Sequence, residues 1–236
     1  MNISGSGSLP GGDYGEDIRI SGSGSIKGSI SCTGLTISGS GHVYGEVNCH
    51  GKVHVSGSGK IDGALHAAEV HVSGSTHIDG PATVDQKMHV SGAAHVLSLR
   101  CGELESSGAL KASGDVSAEK ITIRGAIRCE GLINAENVDV DMGGDCYADA
   151  IGGSVILIRD GAIRGLISRL FKSAGNIFTV KNSIEGDDIT LFNVVADTVI
   201  GRNVRIGDGC RIRHVIYGES IDISEKSEVE LYEPSN

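Results

Sequence analysis

One apolar position recurs along the chain at Ile3, Ile20, Ile37, Val55, Val72 and Val90, with successive members 17 or 18 apart. After a weak turn around Ser106 the series resumes at Ile123 and Val140, again 17 apart. The residue two positions earlier is often apolar too, as at Ile18, Leu35, Val53, Val70, Met88, Ile121 and Val138. Within a repeat, a spacing of six leads from Ile20 to Ile26 and Cys32, from Ile37 to Val43 and Cys49, and from Val72 to Ile78 and Val84. Neighbouring residues are polar, as in His54-Val55-Ser56, which is the alternation of a strand. The i, i+3, i+4, i+7 spacing of a helix is missing from these segments.

Three short strands in each such repeat predict one triangular coil of a parallel β-helix. The expected fold is all-β: coils stacked about 4.8 Å apart, with equivalent apolar residues forming ladders inside. A single coil cannot bury its inward face, so stability must come from its neighbours. The SGSG strings at Ser4–Gly7, Ser21–Gly24, Ser38–Gly41 and Ser56–Gly59 each follow a ladder residue and stack into one corner. Glycine is expected there for the left-handed backbone of a sharp turn.

From about residue 155 the ladder loses clarity. Ile163, Leu166, Ile167, Leu170 and Phe171 fall at i, i+3, i+4, i+7 and i+8, an amphipathic helix pattern. Arg159, Arg164, Arg169, Lys172 and Lys181 stand against Asp160, a local charge of +4. This short helix would pack on the solenoid, or dock on a partner or a membrane surface. Strand-like repeats return at Ile189–Leu191, Val204–Ile206 and Ile221–Ile223. The expected organisation is a solenoid over 1–158, an interruption over 159–182 and a shorter second solenoid segment over 183–236.

Composition narrows the classes. Few aromatic residues and no tryptophan leave a core of Ile, Val, Leu, Ala and Cys, unlike most enzymes of this length. A net charge of -10 argues against a general nucleic-acid binder, which needs a basic face. No apolar run is long enough to span a membrane, and the first residues do not read as a secretory leader. The six cysteines form no CxxC pair, which suits reduced thiols in a cytoplasm.

The candidate chemistry is sparse. Gly22, Gly24 and Gly28 resemble a dinucleotide fingerprint, but the third glycine comes one position late and no long helix follows. Gly59-Lys60 is followed by Ile61, which breaks a phosphate-loop motif, so no nucleotide or other cofactor is expected. Eight of nine histidines lie between His42 and His95. His54, His71 and His89 share one outward column; His42, His77 and His95 share another with Ser25 and Lys60. Such columns are exposed polar ladders or, in principle, ligands for Zn²⁺ or Cu²⁺. Cys32 and Cys49 are 17 apart, as are Cys129 and Cys146, and each pair is expected to stack inside the core. Asp139, Asp141 and Asp145 form an acidic cluster without calcium-loop register.

The remaining argument concerns assembly. A solenoid end exposes unpaired backbone and core unless it is capped. The ladder starts at Ile3, which leaves little room for a cap, while residues 219–233 carry six acids against Lys226. Ile3 and Leu9 are therefore expected to stack on another subunit.

Tandem units such as LTISGSGHVYGEVNCHG (35–51), KVHVSGSGKIDGALHAA (52–68) and EVHVSGSTHIDGPATVD (69–85) resemble the bactofilin family of polymer-forming bacterial cytoskeletal proteins. The resemblance covers residues 1–158 well and the rest loosely. It implies a right-handed β-helix that polymerises without nucleotide, and a cytoplasmic scaffold for cell shape, division or envelope and motility machinery. Its partners would be further copies of itself or a related bactofilin, with a peripheral membrane contact as a further expectation. Family polymers form through terminal coils, which map here to Ile3 and Leu9 at one end and to Ile221, Ile223 and Val229 at the other. Typical members have one compact repeat domain between proline-bearing tails, whereas this chain is longer and carries the interruption.

Two other classes remain open. VIGRNVRIGDGCRI (199–212), followed by His214, resembles the left-handed hexapeptide repeat of acyltransferases. Those coils keep a strict period of 18, which this chain does not. An adhesin-like surface solenoid would require export.

Overall fold

The computed structural model describes residues 1–160 and 175–235. Every element is a strand, twenty-three in all, and no helix occurs among the described residues. The chain divides into two compact units, Met1–Ala118 and Glu119–Asn236. Each is a parallel β-solenoid.

In the first unit the expected ladder is real. Ile3 pairs with Ile20, then Ile37, Val55, Val72, Val90 and Ser106 in register, and all are buried. A second face stacks Leu9, Ile26, Val43, Ile61, Ile78, Val96 and Ala112. A third stacks Ile30, Val47, Leu65, Ala82, Leu99 and Val116. The mixed period has one origin. Cys49 pairs with Ala67 at a spacing of 18, but Lys52 pairs with Glu69 at 17, and a matching shift falls between Val84 and Lys87. One corner, at His50-Gly51 and Asp85-Gln86, absorbs the extra residue and leaves the inward ladders in phase.

The SGSG corner has a different cause from the one expected. Gly22, Gly39, Gly57, Gly74 and Gly92 are not among the glycines with positive φ, which are Gly12, Gly15, Gly28 and Gly209. They are needed because a Cβ at each would strike the carbonyl oxygen of the equivalent glycine one coil earlier. Neighbouring amides stitch the same corner: Ser38 N–H donates to Ile20 O at 2.8 Å and Ser40 N–H to Gly22 O at 2.9 Å.

The second glycine of each string faces the core. Its column runs Gly24, Gly41, Gly59, Thr76, Ala94, Leu110. A Cβ on Gly41 would meet the side chains of Ile37 and Ile20. As the first ladder shrinks from Ile37 through Val55, Val72 and Val90 to Ser106, this column grows from glycine to leucine. The clearest exchange is at the last level, where Ser106 takes the place of Val90 and Leu110 that of Ala94, as close packing requires. The weak turn at Ser106 is thus a place where bulk moves to Leu110.

The second unit stacks Ile123, Val140, Ile158, Leu191, Ile206 and Ile223. Ile158 and Leu191 are register partners although the chain between them is far longer than one coil. Among the described residues, strand Cys146–Asp160 is followed by Phe178–Leu191, whose Phe178 lies between Cys146 and Val194. The amphipathic helix expected as an interruption is therefore not borne out by any described residue; Ile163, Leu166, Ile167, Leu170 and Phe171 lie outside them. Asn176 Nδ2 donates to Met142 O at 3.1 Å and to Asp160 Oδ1 at 3.2 Å, tying this residue to the coil before it. One stacking expectation also fails. Cys129 pairs with Ala148, not Cys146, because the corner at Gly143-Gly144 lengthens that coil.

Candidate functional site

The two end coils are the surfaces to which assembly was assigned. In the first unit, strands Asn2–Ile3 and Ser6–Asp13 each pair on one side only among the described residues, with Ile18–Ile20 and Ser23–Cys32. Ile3 is buried, whereas Leu9, opposite the fully buried Ile26, is half-exposed. The Met1 ammonium sits 3.2 Å from Glu16 and donates to Asp17 O at 2.6 Å. Tyr14 Oη donates to Pro10 O at 2.6 Å. Pro10 lacks an amide hydrogen and occupies an edge strand, the position in which a sheet tolerates proline.

In the second unit, Glu228–Pro234 pairs with Arg211–Tyr217, leaving Ser220–Ile223 paired on one side only among the described residues. Ile221 and Ile223 sit half-buried on the buried Val204 and Ile206; Val229 sits half-buried on Ile212. Leu231 and Tyr232 are more exposed still, at 52% and 57%. The sequence pattern does not single out either, although Tyr232 follows its register partner Val215 at the favoured spacing. The acids of this end lean on the coil beneath: Asp222 lies 3.4 Å from Arg205, Glu228 3.7 Å from Arg211, and Glu233 3.1 Å from His214. Pro234 again places a proline in an edge strand.

The structure thus brings Ile3 with Leu9 onto one end coil, and Ile221, Ile223 and Val229 onto another. The docking residues of the 163–171 segment lie outside the described residues. No described helix is long and apolar enough to cross a membrane.

The other candidates resolve into structural roles. The glycine-string amides that would face a phosphate in a nucleotide loop are instead bonded between coils. Asp139 pairs with Arg124 at 2.6 Å and Arg159 at 3.2 Å, and Asp145 accepts the Ile177 amide at 3.0 Å. The hexapeptide-like stretch lies in coils of unequal length, each shorter than the hexapeptide period, and its His214 is held by Glu233. All six cysteines are buried free thiols. Cys32 and Cys49 do stack; the neighbouring thiol, and then burial, push Cys32 up, while Cys49 Sγ donates to Thr33 O at 3.6 Å. Burial pushes Cys101 up to about 12.

Comparison with known proteins adds one finding. Residues 3–82 match the family model for Bactofilin, described as polymer-forming cytoskeletal. No curated protein and no solved structure matches the chain.

Proposed function

Since residues 3–82 match the bactofilin family model, we propose that the chain is a cytoskeletal scaffold subunit whose end coils stack on further subunits without nucleotide. The match over residues 3–82 and the solenoid fold support a polymer-forming cytoskeletal character. The mode of contact is our reading, and one observation carries it: the first coil offers Leu9 half-exposed above a dry ladder, beside backbone paired on one side only.

A second subunit laid there would continue both the hydrogen-bond ladder and the apolar stack. Burying an aliphatic side chain stabilises by about 1.5–3 kcal/mol, and a whole coil adds several such residues at once. Ile221, Ile223 and Val229 offer a comparable surface on the last coil of the second unit. The bonded glycine-string amides support assembly without nucleotide, because they leave no free cradle there. A rigid, repetitive polymer of this kind suits a scaffold for cell shape, division or envelope machinery, with partners that are copies of the chain or a related bactofilin.

The test is electron microscopy and light scattering of the purified protein, with and without nucleotide. Wild-type polymers are expected in both conditions. Ile3→Glu with Leu9→Glu should leave species no larger than a dimer, and polymers unaffected by that change would overturn the reading.

A further inference from the structure

The second face of the first unit carries an outward column of Ser25, His42, Lys60, His77, His95 and Lys111. Two of its members do more than stack. His77 and His95 meet edge to face, with ring centroids 4.4 Å apart and planes at 90°. Their Nδ1 atoms lie 3.1 Å from one another. Each ring is held from behind: His77 Nε2 is 2.6 Å from Asp79 Oδ1, and His95 Nε2 is 3.2 Å from Ser113 Oγ.

The protons can be assigned from the partners. Asp79 faces Lys60 Nζ at 3.2 Å through Oδ2 and His77 through Oδ1. An ionised carboxylate only accepts, so His77 donates from Nε2. The neutral ring then presents Nδ1 as a bare lone pair aimed at His95.

We propose that His77 and His95 chelate a late first-row divalent cation such as Zn²⁺, Cu²⁺ or Ni²⁺ through their Nδ1 atoms, with water completing the coordination. Two imidazole nitrogens on tetrahedral zinc, each at about 2.0–2.1 Å, stand about 3.3 Å apart. The pair therefore needs to open by only a few tenths of an ångström. Binding also needs the His95 proton on Nε2, where the Ser113 hydroxyl oxygen accepts it. Carboxylate and hydroxyl partners behind the ligating rings are the usual means of fixing tautomer and orientation.

The protein supplies two ligands and no more, since no cluster of three or more His, Cys, Asp or Glu among the described residues can hold a metal. Lys60 and Lys111 flank the pair in the column and oppose a cation. Lys60 is offset by Asp62 at 2.8 Å and Asp79 at 3.2 Å. The other column provides a contrast within the same unit. His54, His71 and His89 stack face to face, with centroids 5.1 and 4.8 Å apart and planes within 28° and 22°. Near-parallel rings turn their nitrogens past one another, not toward a common point. An ion at His77–His95 would bridge two coils and stabilise the folded unit by mass action. This inference does not rest on the assembly reading.

The test is calorimetric titration of chelator-treated full chain with zinc chloride, alongside thermal unfolding with and without the ion. Saturable binding and a raised Tm are expected for wild type. Both should vanish in His95→Ala and in His95→Gln, the latter retaining a hydrogen-bonding side chain in case alanine unfolds the coil. Asp79→Asn should weaken affinity about 10–100-fold, while His71→Ala should bind as wild type does. No saturable binding by wild type, binding that survives both His95 changes, or loss in His71→Ala would each overturn the proposal.

Discussion

A Cβ on Gly39 would stand under 3.0 Å from the carbonyl oxygen of Gly22, its counterpart one coil earlier. The obstacle is backbone, held by the hydrogen bond from Ser40 N–H, so it cannot swing aside. Gly39→Ala or Gly74→Ala should therefore destabilise the first unit by about 1–3 kcal/mol, the range for forced overpacking. Gly5→Ala is the control, because its Cβ would meet nothing within 4 Å. Denaturant unfolding followed by circular dichroism measures both. Equal effects at Gly5 and Gly39 would show that stacking is not what demands glycine.

Thr76 and Ser106 are buried, and neither hydroxyl has a hydrogen-bond partner among the described residues. A buried hydroxyl left unbonded loses its hydration without replacement. Thr76→Val keeps the shape and removes the polar atom, so it should stabilise by about 1 kcal/mol. Ser106→Ala should act in the same direction. Ser106→Val should not, because Leu110 already fills the space that Val90 and Ala94 share one coil earlier. A loss of stability in Thr76→Val would point to a partner for its hydroxyl.

His71 sits between two other rings. Burial is the main cause lowering its pKa, followed by the charges of His89, His54 and Lys52. Glu69 lies two residues before His71 on the same face, and Glu105 stands beyond His89 in the column. A histidine with a lowered folded value binds protons more readily when unfolded. Its contribution is therefore intact above the unfolded value of about 6.5 and is lost as pH falls through the folded value. Unfolding free energy of the wild type should decline on acidification from pH 7 toward pH 5. His71→Gln should flatten that slope. A variant with an unchanged slope would assign the decline to other groups.

Much of this was legible in the spacing of Ile3, Ile20, Ile37 and Val55, because a solenoid gives equivalent residues the same environment at every level. The end-coil residues Ile221 and Ile223 followed from the same rule. What escaped depends on corner length and rotamer. Cys129 and Cys146 share the favoured spacing of 17, yet Gly143-Gly144 shifts the register by two. Phe178 lies 32 residues after its register partner Cys146, nearly two coil lengths, so no spacing of 17 or 18 links the two. The convergence of His77 and His95, against the plain stacking of His54 and His71, is set by side-chain torsions that a column assignment does not contain.

The first coil of the first unit and the last coil of the second differ in charge, and that difference separates modes of assembly. Residues 219–233 carry Glu219, Asp222, Glu225, Glu228, Glu230 and Glu233 against Lys226. A contact between two copies of this end sets like charges against each other. The repulsion is long-ranged at low salt and falls as the screening length drops from about 30 Å at 0.01 M to about 3 Å at 1 M. The first coil has its ammonium paired with Glu16 and carries less excess charge. With Ile3→Glu and Leu9→Glu closing the first end, only the acidic end remains for an isologous contact. Sedimentation should then show monomers at low salt and dimers at high salt, and adding Val229→Glu should abolish the dimers. Monomers at every salt concentration would mean that the acidic end meets the first coil and never itself, a head-to-tail polymer.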